Sequence, residues 1–552
     1  MSSYGILIHM KNLGKLFLVA VFLSFFGIAS PVQASAEFST AFTSTYTVDA
    51  EGNAEVLHNI DITNKLAHIY TTKYTLSVGS DRITKIKGLV EGIETPAEVN
   101  QSGAATTITI EIRDPVIGYG QTTHLEISYG SQDIASILGN TVTINIPRMS
   151  KANEAESFTR IVRLPLDIPP LSSTSPAGYS EKLEGEERVY TFSAHPSESV
   201  TMLFGTEVTY KVSLDYEISN PTVSSTDTEI ALPPDTAYQQ ILLDSIDPPP
   251  LAIRLDKDGN WLARYTLKAQ EKKAIHAVLF TTVTSTPRFF DPSGHAGTLT
   301  AQKQYWDTRD TRITDLGKQL KTPRNIYNYV VENFTYNYSR VKVGSDRLGA
   351  LGALDNPTDT LCTEFTDTFV ALARSQGIPA REVNGFAYSQ NQSLRPLGLE
   401  TDILHAWPEY YDKESERWVS VDPTWGNTTG GVNYYDKLDF NHIAFVRHGE
   451  ESVYPLPAGV YKTEAKTKQI QVTVEPGPER RETSITKGES IVNTGNVALI
   501  NDQVGYLPPY GEFSPTKNPV VKLSQSKLSM YGGIVVVLTL LGGTVFFLRR
   551  KK

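Results

Sequence analysis

Cys362 is the only cysteine in the 552 residues, and it lies in the segment TDTLCTEFTDTFVALARSQGIPARE, residues 358–382. A lone thiol cannot form an internal disulfide. It can be a buried apolar side chain, an intermolecular link or a nucleophile, and burial is the commonest of these for a free cysteine. The thiolate is the nucleophilic form, and an unperturbed thiol is mostly protonated at neutral pH. The surroundings of Cys362 therefore decide which interpretation holds.

The segment after Cys362 predicts an amphipathic helix. Phe365, Phe369 and Leu372 recur at helical spacing, and Gly377 follows as a helix end. Cys362 is thus expected in the first helical turn. Unpaired amide N–H groups and positive partial charge at a helix N-terminus stabilise a thiolate and can also bind an oxyanion. Activation normally requires a base that is oriented by a third group.

A base and an orienting carboxylate follow in DILHAWPEYYDKESERWVSVDPTW, residues 402–425. This segment predicts two strands joined by a turn centred on Lys413 and Glu414, which pairs His405 with Asp422. Side chains paired in this way have Cβ atoms about 5 Å apart, so the carboxylate would hold the imidazole tautomer that accepts the thiol proton. Alone, the histidine would be an ordinary strand residue and the Asp-Pro pair a turn. With Cys362 they form a nucleophile, base and orienter set.

His442, in DFNHIAFVRHG, is the rival base. It has no carboxylate at hairpin spacing, although Asp439 is near, so it ranks second. The Cys362 N–H is the first candidate oxyanion donor. Tyr336 or Tyr338 is a candidate second donor, although tyrosines in FTYNYS more often pack a strand. Two tryptophans could line the active-site groove or pack the core, and we expect at least one in the core; they are Trp407 and Trp425.

Cys362 with EFTDTFVALARSQGIPARE, then NGFAY, HAWPEYY and WVSVDPTW, closely resembles the core of the transglutaminase-like superfamily, which has a papain-like cysteine fold. The resemblance covers residues 300–449, about a quarter of the chain. It implies that Cys362 is the nucleophile, His405 the general base and then acid, and Asp422 the orienting carboxylate. Many members have glycine two residues before the cysteine, where this chain has Thr360.

The resemblance implies an enzyme that attacks an amide carbonyl of a protein or peptide and forms a thioester. Water then gives hydrolysis, as in a cysteine protease or amidase, whereas an amine gives crosslinking; bacterial relatives slightly favour hydrolysis. The opposing interpretation is a non-catalytic scaffold or binding protein of the cell envelope. A third is a disulfide-linked dimer through Cys362. No cofactor or metal is expected, since no calcium loop is recognisable and DKDGNW at residues 256–261 predicts a tight hairpin turn.

The rest of the chain predicts a multidomain protein. Alternating apolar and polar residues indicate two β-sandwich domains, 37–170 and 171–290, with the Pro/Ser-rich segment near residues 167–180 as their boundary. The α+β, papain-like core at 300–449 follows, and then a small β module or stalk at 450–526. Sandwiches of this kind resemble those that precede such cores in secreted bacterial proteins.

Both chain ends predict membrane targeting. Residues 1–36 have a basic flank, a short apolar run and small residues at Ala34 and Ala36, as in a cleaved signal peptide; an uncleaved anchor is the alternative. Residues 528–548 are uncharged and long enough to span a bilayer. The basic tail 549–552 then stays in the cytoplasm. LPPYG, at residues 507–511, has tyrosine where a sortase signal has threonine, which favours a retained single-pass membrane anchor with the bulk of the chain extracytoplasmic.

The net charge of −10 argues against a nucleic-acid partner. Phosphate binding requires clustered Lys and Arg, and the chain has no such run outside its ends. The expected partners are a protein or peptide substrate and, through the C-terminal helix, the membrane.

Overall fold

The computed structural model describes residues 37–103, 105–149, 155–193, 195, 197–289, 291, 293, 299–341, 345–396, 404–460, 469–477 and 505–506. The predicted signal peptide, the membrane span, the basic tail and most of the predicted module at 450–526 lie outside these residues. Among the described residues, no helix is both long enough and apolar enough to cross a membrane.

The N-terminal β region consists of fifteen strands in three sheets. Burial alternates along strands such as Ala54–Asn64, as the period of two in the sequence requires. Side chains from all three sheets share one hydrophobic cluster. The strands are β1 (Phe38–Val48), β2 (Ala54–Asn64), β3 (Lys73–Val78), β4 (Ile83–Val90), β5 (Ile93–Thr95), β6 (Ala97–Ser102), β7 (Ala105–Glu111), β8 (Thr122–Ser131), β9 (Ala135–Leu138), β10 (Thr141–Ile146), β11 (Ala155–Pro165), β12 (Leu171–Ser175), β13 (Ser180–Glu184), β14 (Glu187–Phe192) and β15 (Val200–Phe204).

The predicted domain boundary at residue 170 is wrong. The sheet orders are β13-β14-β11-β1-β2-β8-β4-β5, β12-β15-β10-β9 and β3-β7-β6, so strands on both sides of residue 170 share sheets. β11 pairs in parallel with β1, more than 100 residues earlier, and β14 pairs with β11. A Pro/Ser-rich segment is compatible with a boundary, but the pairing of distant strands decides where the sheets divide. That division falls between β15 and the next strand.

A second β region follows. Its strands are β16 (Glu207–Ser219), β17 (Thr226–Leu232), β18 (Gln239–Asp247), β19 (Ala252–Leu255), β20 (Trp261–Leu267) and β21 (Lys272–Thr284), joined by β26 (Ile470–Val474) and β27 (Gly505–Tyr506) from the predicted C-terminal module. They form the sheets β26-β16-β21-β18-β27 and β17-β20-β19. The predicted hairpin turn at 256–260 is confirmed, since Leu255 pairs with Trp261 across it.

The third region contains the helices. They are α1 (Thr311–Leu320), α2 (Pro323–Asn333), α3 (Gly349–Asp355), α4 (Cys362–Ser375) and α5 (Pro423–Thr428), with a 3₁₀ turn at Tyr338–Arg340. Its sheet has the order β24-β23-β22-β25. The strands are β22 (Ala380–Ala387), β23 (His405–Asp412), β24 (Arg417–Ser420) and β25 (His442–His448). Phe440 and Ile443 also belong to the core of the second β region, so the two cores are continuous.

Helix α4 begins at Cys362, as the sequence predicts, and Gly377 follows its end with a φ of 73°. Helix α2 has Thr322 as its N-cap, where the hydroxyl accepts from the Asn325 N–H, and Pro323 as its first residue. An amphipathic helix is expected to expose its polar face to solvent, and for α4 this expectation is wrong. Twelve of its fourteen residues are buried, so the helix has no broad solvent face. It lies between β23 and the other helices, and its polar side chains are buried with it.

Candidate active site

The Cys362 side chain lies at the first helical position of α4 and is buried. The Glu364 carboxylate fixes the start of the helix, because it accepts hydrogen bonds from the Leu361 N–H at 2.7 Å and the Leu348 N–H at 2.8 Å. The first N–H groups of a helix have no partner within the helix. Cys362 therefore combines a thiol with the positive end of a buried helix.

The segment before Cys362 is tied to the chain near Tyr336. Thr360 forms a parallel bridge with Tyr336 and accepts a hydrogen bond from the Asn337 N–H at 2.9 Å through its carbonyl oxygen. The Thr360 hydroxyl donates to the Thr335 carbonyl oxygen, also at 2.9 Å. This bond gives a local reason for threonine where many relatives have glycine. The bridge brings the Tyr336 ring to the entrance of α4.

His405 is the first residue of β23 and is fully buried. It pairs with Gly385 of β22. A Cβ at Gly385 would lie 2.0 Å from the Ile443 carbonyl oxygen and 2.8 Å from the Trp407 ring. Glycine at this position therefore lets three strands approach closely and leaves room for the aromatic side chains around the imidazole.

The His405 Nε2 atom lies 2.9 Å from Asp422 Oδ2, and both side chains are fully buried. The imidazole also stacks with Trp407 and with Trp425, with ring centroids at 5.9 Å and 5.3 Å. Both tryptophans are buried and both contact the imidazole, so each packs the core and walls the site. The ring is thus held by a carboxylate and by two stacked indoles.

Asp422 reaches His405 by a route that differs from the predicted one. The strands β23 and β24 pair Asp412 with Arg417, so the turn contains residues 413–416 and the predicted register is wrong by two. β24 ends at Ser420, and Asp422 is the N-cap of α5, where its Oδ1 accepts from the Trp425 N–H at 3.0 Å. The predicted proximity is present, but a helix cap produces it.

The electrostatics of this pair favour an ionised carboxylate and a protonated imidazole. Burial opposes the charge on Asp422, but the positive charge of His405 and hydrogen bonds from two histidines hold its pKa well below its usual range. Burial also disfavours the His405 cation, yet Asp422, followed by Cys362, raises the pKa of His405 to about 9. Among the described residues, no hydrogen bond of normal geometry satisfies His405 Nδ1. That nitrogen is the one left for a thiol proton.

His442 is closer to the site than the sequence indicates. Its Nε2 lies 3.2 Å from Asp422 Oδ2, and its Nδ1 lies 2.8 Å from Asp439 Oδ1. Both ring nitrogens are therefore engaged, which leaves none for a thiol proton. The D-x-x-H spacing in the sequence signals the Asp439 contact. The Asp422 contact depends on the sheet order, in which β22 separates the strands of His405 and His442.

The two candidate oxyanion tyrosines differ in their hydroxyl groups. Tyr338 is half exposed and donates its hydroxyl to the Ser393 carbonyl oxygen. The Tyr336 hydroxyl is buried and has no hydrogen-bond partner among the described residues. Burial and then the proximity of the Cys362 charge raise the pKa of Tyr336 far above its usual range. The unpaired donor near the thiol is therefore Tyr336.

His405, Asp422 and His442 also form a group whose potential metal-ligating atoms lie within 4.8 Å of one another. Asp422 Oδ2 lies 2.9 Å and 3.2 Å from the two Nε2 atoms, which are lengths of direct hydrogen bonds. The second nitrogen of His442 is bonded to Asp439. We therefore interpret the group as a hydrogen-bond network. Together with Asp439, we call it the carboxylate–imidazole network.

A comparison with known proteins matches the part of the chain that contains Cys362, His405 and Asp422. Residues 309–423 match the family model described as the transglutaminase-like superfamily, so they form a transglutaminase-like domain within a strand-rich chain. A protein-glutamine gamma-glutamyltransferase from Pseudomonas aeruginosa is 33% identical over 98 residues, which are 17% of this chain. The match spans 14% of that relative's length.

Two solved structures show a partial likeness. A candidate cysteine protease from Cytophaga hutchinsonii is 15% identical, with a TM-score of 0.32, over 49% of this chain and 87% of its own. A candidate protease from Parabacteroides distasonis is 10% identical, with a TM-score of 0.23, over 74% of this chain and 73% of its own.

Proposed function

We propose that the domain is a cysteine-dependent enzyme that acts on amide bonds through a thioester. The observation that carries the proposal is a buried imidazole, His405, with Nε2 held by Asp422 and with Cys362 close enough to raise its pKa. The match of residues 309–423 to the transglutaminase-like superfamily supports this reading. In the proposed enzyme, Cys362 is the nucleophile, His405 the general base and acid, and Asp422 the orienting carboxylate.

The first step is attack by the Cys362 thiolate on the amide carbonyl carbon. A C–S bond forms, the carbonyl oxygen becomes an oxyanion, and the C–N bond breaks as the His405 imidazolium transfers its proton to the leaving nitrogen. Asp422 keeps the imidazole in the tautomer and orientation that this transfer requires. The products are a thioester on Cys362 and a free amine, or ammonia when the substrate is a carboxamide.

The oxyanion would be stabilised by two donors at the start of α4. The Cys362 N–H is at the positive end of the helix. The Tyr336 hydroxyl is the proposed second donor, because it is buried, has no hydrogen-bond partner among the residues the structure describes, and is close enough to interact electrostatically with Cys362. A hydroxyl that is unpaired in the resting state can form its hydrogen bond when the oxyanion appears, which is the kind of bond that lowers a reaction barrier.

The acceptor determines the outcome. Water releases an acid, as in a protease or amidase, whereas a lysine amine gives a crosslink, and both reactions share the same acyl-enzyme. The Pseudomonas aeruginosa relative is named for transfer of a glutamine γ-acyl group, so a glutamine carboxamide is the first substrate class to test. Carbobenzoxy-glutaminyl-glycine is a suitable donor, with water or hydroxylamine as the acceptor.

The proposed setting is the outer face of a cell membrane. The sequence of residues 1–36 supports export, and the uncharged run at 528–548 followed by four cations supports a single-pass anchor. The proposed substrates are then proteins or peptides of the envelope.

A non-catalytic scaffold is the second candidate, and the burial of both Cys362 and His405 favours it. Alkylation distinguishes the two functions, and the single cysteine makes the label unambiguous. The enzyme predicts rapid reaction of the native chain with iodoacetamide near pH 7, at least tenfold slower in His405→Ala because the thiolate loses its imidazolium. A scaffold predicts reaction only after unfolding. A dimer that dissociates when dithiothreitol is added would instead indicate an intermolecular disulfide.

A further inference from the structure

Asp422 Oδ2 faces two imidazoles. His405 and His442 approach this one oxygen at 2.9 Å and 3.2 Å, from strands on opposite sides of β22. The other oxygen, Oδ1, accepts from the Trp425 N–H. The Asp422 oxygen that bonds to His405 is therefore shared with His442, and the proposed mechanism gives His442 no role.

The contacts of His442 require a doubly protonated ring. A neutral imidazole has one N–H donor and one acceptor nitrogen, and an ionised carboxylate only accepts. The two nitrogens of His442 face carboxylate oxygens of Asp422 and Asp439, so both hydrogen bonds can form together only from the imidazolium. The Trp425 ring, with its centroid 4.5 Å from that of His442, provides an aromatic surface of the kind that stabilises cations.

The other groups around His442 are compatible with a doubly protonated ring. Asp439 accepts further hydrogen bonds from the N–H and the side chain of Asn441, which hold its carboxylate in place. Burial disfavours a cation at His442, but Asp439 and Asp422 raise its pKa to about 9. The titratable and charged groups that face His442 directly or through Asp439 are His405, Asp422, Asp439, Arg395, Tyr434 and Tyr210.

We propose that His442 is a positioning residue, an imidazolium held by Asp439 that fixes the Asp422 carboxylate and sets how strongly Asp422 stabilises the protonated form of His405. This inference rests on the proposed function, because it assigns a role within the same site. The His442 cation fixes Asp422 in the orientation that the triad needs. It also neutralises part of the Asp422 charge, so that His405 releases its proton more readily than it would beside an isolated carboxylate.

The test is the pH dependence of Cys362 alkylation by iodoacetamide in the full chain, measured by mass spectrometry. The rate changes once where the thiolate–imidazolium pair forms and again, at higher pH, where His405 loses its proton. In His442→Gln an amide N–H can still bond to Asp422, but the positive charge is gone. We expect the higher transition to move upward by about one pH unit, because a cation near His405 has been removed.

Two further variants separate charge from packing. Asp439→Asn removes the partner that requires the imidazolium, and it should move the same transition upward by a smaller amount, since loss of the Asp439 charge partly offsets the change. His448→Gln is the matched control. His448 is buried on the same strand. It lies 2.7 Å from the Pro455 carbonyl oxygen and 3.4 Å from Glu382 Oε2 rather than beside Asp422, so its substitution should leave the transition unchanged.

The possible outcomes test the role of His442 and the proposed enzyme function separately. If the folded His442→Gln and Asp439→Asn proteins both keep the wild-type transition, His442 is only a packing residue and the inference is wrong. If His442→Gln does not fold, the Asp439→Asn profile decides alone. If the wild-type thiol reacts only after unfolding, the proposed function itself fails.

Discussion

Two clusters of buried charge lie in the same domain, and they differ in the cation that each contains. Beneath helix α4, Arg347 forms ion pairs with Asp367 and with Glu382, at 2.8 Å to Glu382 Oε2. In the carboxylate–imidazole network, the cations are His405 and His442. Both clusters are buried and both pair opposite charges, but an imidazole can release its proton near neutral pH and a guanidinium cannot.

The comparison shows that buried charge alone does not mark an active site. A guanidinium stays protonated at every accessible pH, and its fork of donors fixes two carboxylates at once. An imidazole changes its charge between pH 5 and 9, depending on its neighbours. In the network, among the described residues, His405 Nδ1 has no hydrogen bond of normal geometry, and Cys362 lies close enough to raise the pKa of the imidazole. The Arg347 cluster is therefore expected to stabilise the fold, and the network to perform chemistry.

The largest effect is expected for Asp422→Asn. The amide preserves the shape of the side chain but removes the charge and the acceptor that select the His405 tautomer. We expect kcat/KM with carbobenzoxy-glutaminyl-glycine to fall about 10³- to 10⁴-fold, as for other triads. Asp412→Asn, at the end of β23 next to the turn of the same hairpin, is the control and should change kcat/KM less than twofold. A fall below tenfold for Asp422→Asn would show that Asp422 does not orient the base.

Arg347→Met is the corresponding change in the other cluster. It removes the guanidinium that pairs with the buried Asp367 and Glu382, which should lower the free energy of unfolding by about 3–5 kcal/mol. The kcat/KM of the remaining folded protein should stay close to that of the wild type. Denaturant unfolding and active-site titration measure the two quantities. Lys318→Met, in the exposed pair with Asp315, should be nearly neutral for stability. A stable but inactive Arg347→Met protein would contradict the separation of roles.

The stability of the domain should depend on pH in the direction set by the two imidazoles. Their pKa values are raised to about 9 in the folded state, so their stabilisation is complete below about pH 6.5 and is lost as the pH rises through 9. The upper bound is about 3 kcal/mol for each ring. Thermal unfolding between pH 6.5 and 9 measures it. His442→Gln should flatten this dependence, whereas a wild-type midpoint that is flat over this range would contradict the imidazolium assignment.

Tyr336→Phe should give the smallest effect of these changes, and it should alter kcat without altering stability. Loss of one oxyanion donor should lower kcat about 10²-fold. Stability should not fall, because the hydroxyl has no hydrogen-bond partner within the part of the chain that the structure describes. Tyr329→Phe, on the neighbouring helix α2, controls for removal of a hydroxyl near the site. An unchanged kcat for Tyr336→Phe would exclude the tyrosine as a donor.

The sequence predicts those parts of the site that local patterns encode. The helical spacing after Cys362 and the terminal glycine at Gly377 place the thiol at the start of α4, as observed. The contact between His405 and Asp422 is also predicted, but its register is not. The Asp-Pro pair at Asp422 marks the start of α5, and a helix cap redirected the carboxylate that strand pairing was expected to present.

The parts that were missed depend on long-range pairing. His442 meets Asp422 because β22 lies between β23 and β25, an order that no local period reveals. The incorrect boundary at residue 170 has the same cause, since β11 returns to pair with β1. In both cases the local pattern identifies strands, whereas the arrangement of the strands determines which side chains meet.

The most direct test of the account is to trap the acyl-enzyme on Cys362. The full chain is incubated with carbobenzoxy-glutaminyl-glycine, quenched in acid and analysed by mass spectrometry. The account predicts a hydroxylamine-sensitive adduct on Cys362, equal in mass to the donor minus ammonia, and no adduct in Cys362→Ser or in Asp422→Asn on the same timescale. A folded wild-type chain that forms no thioester while its thiol resists iodoacetamide would contradict the account.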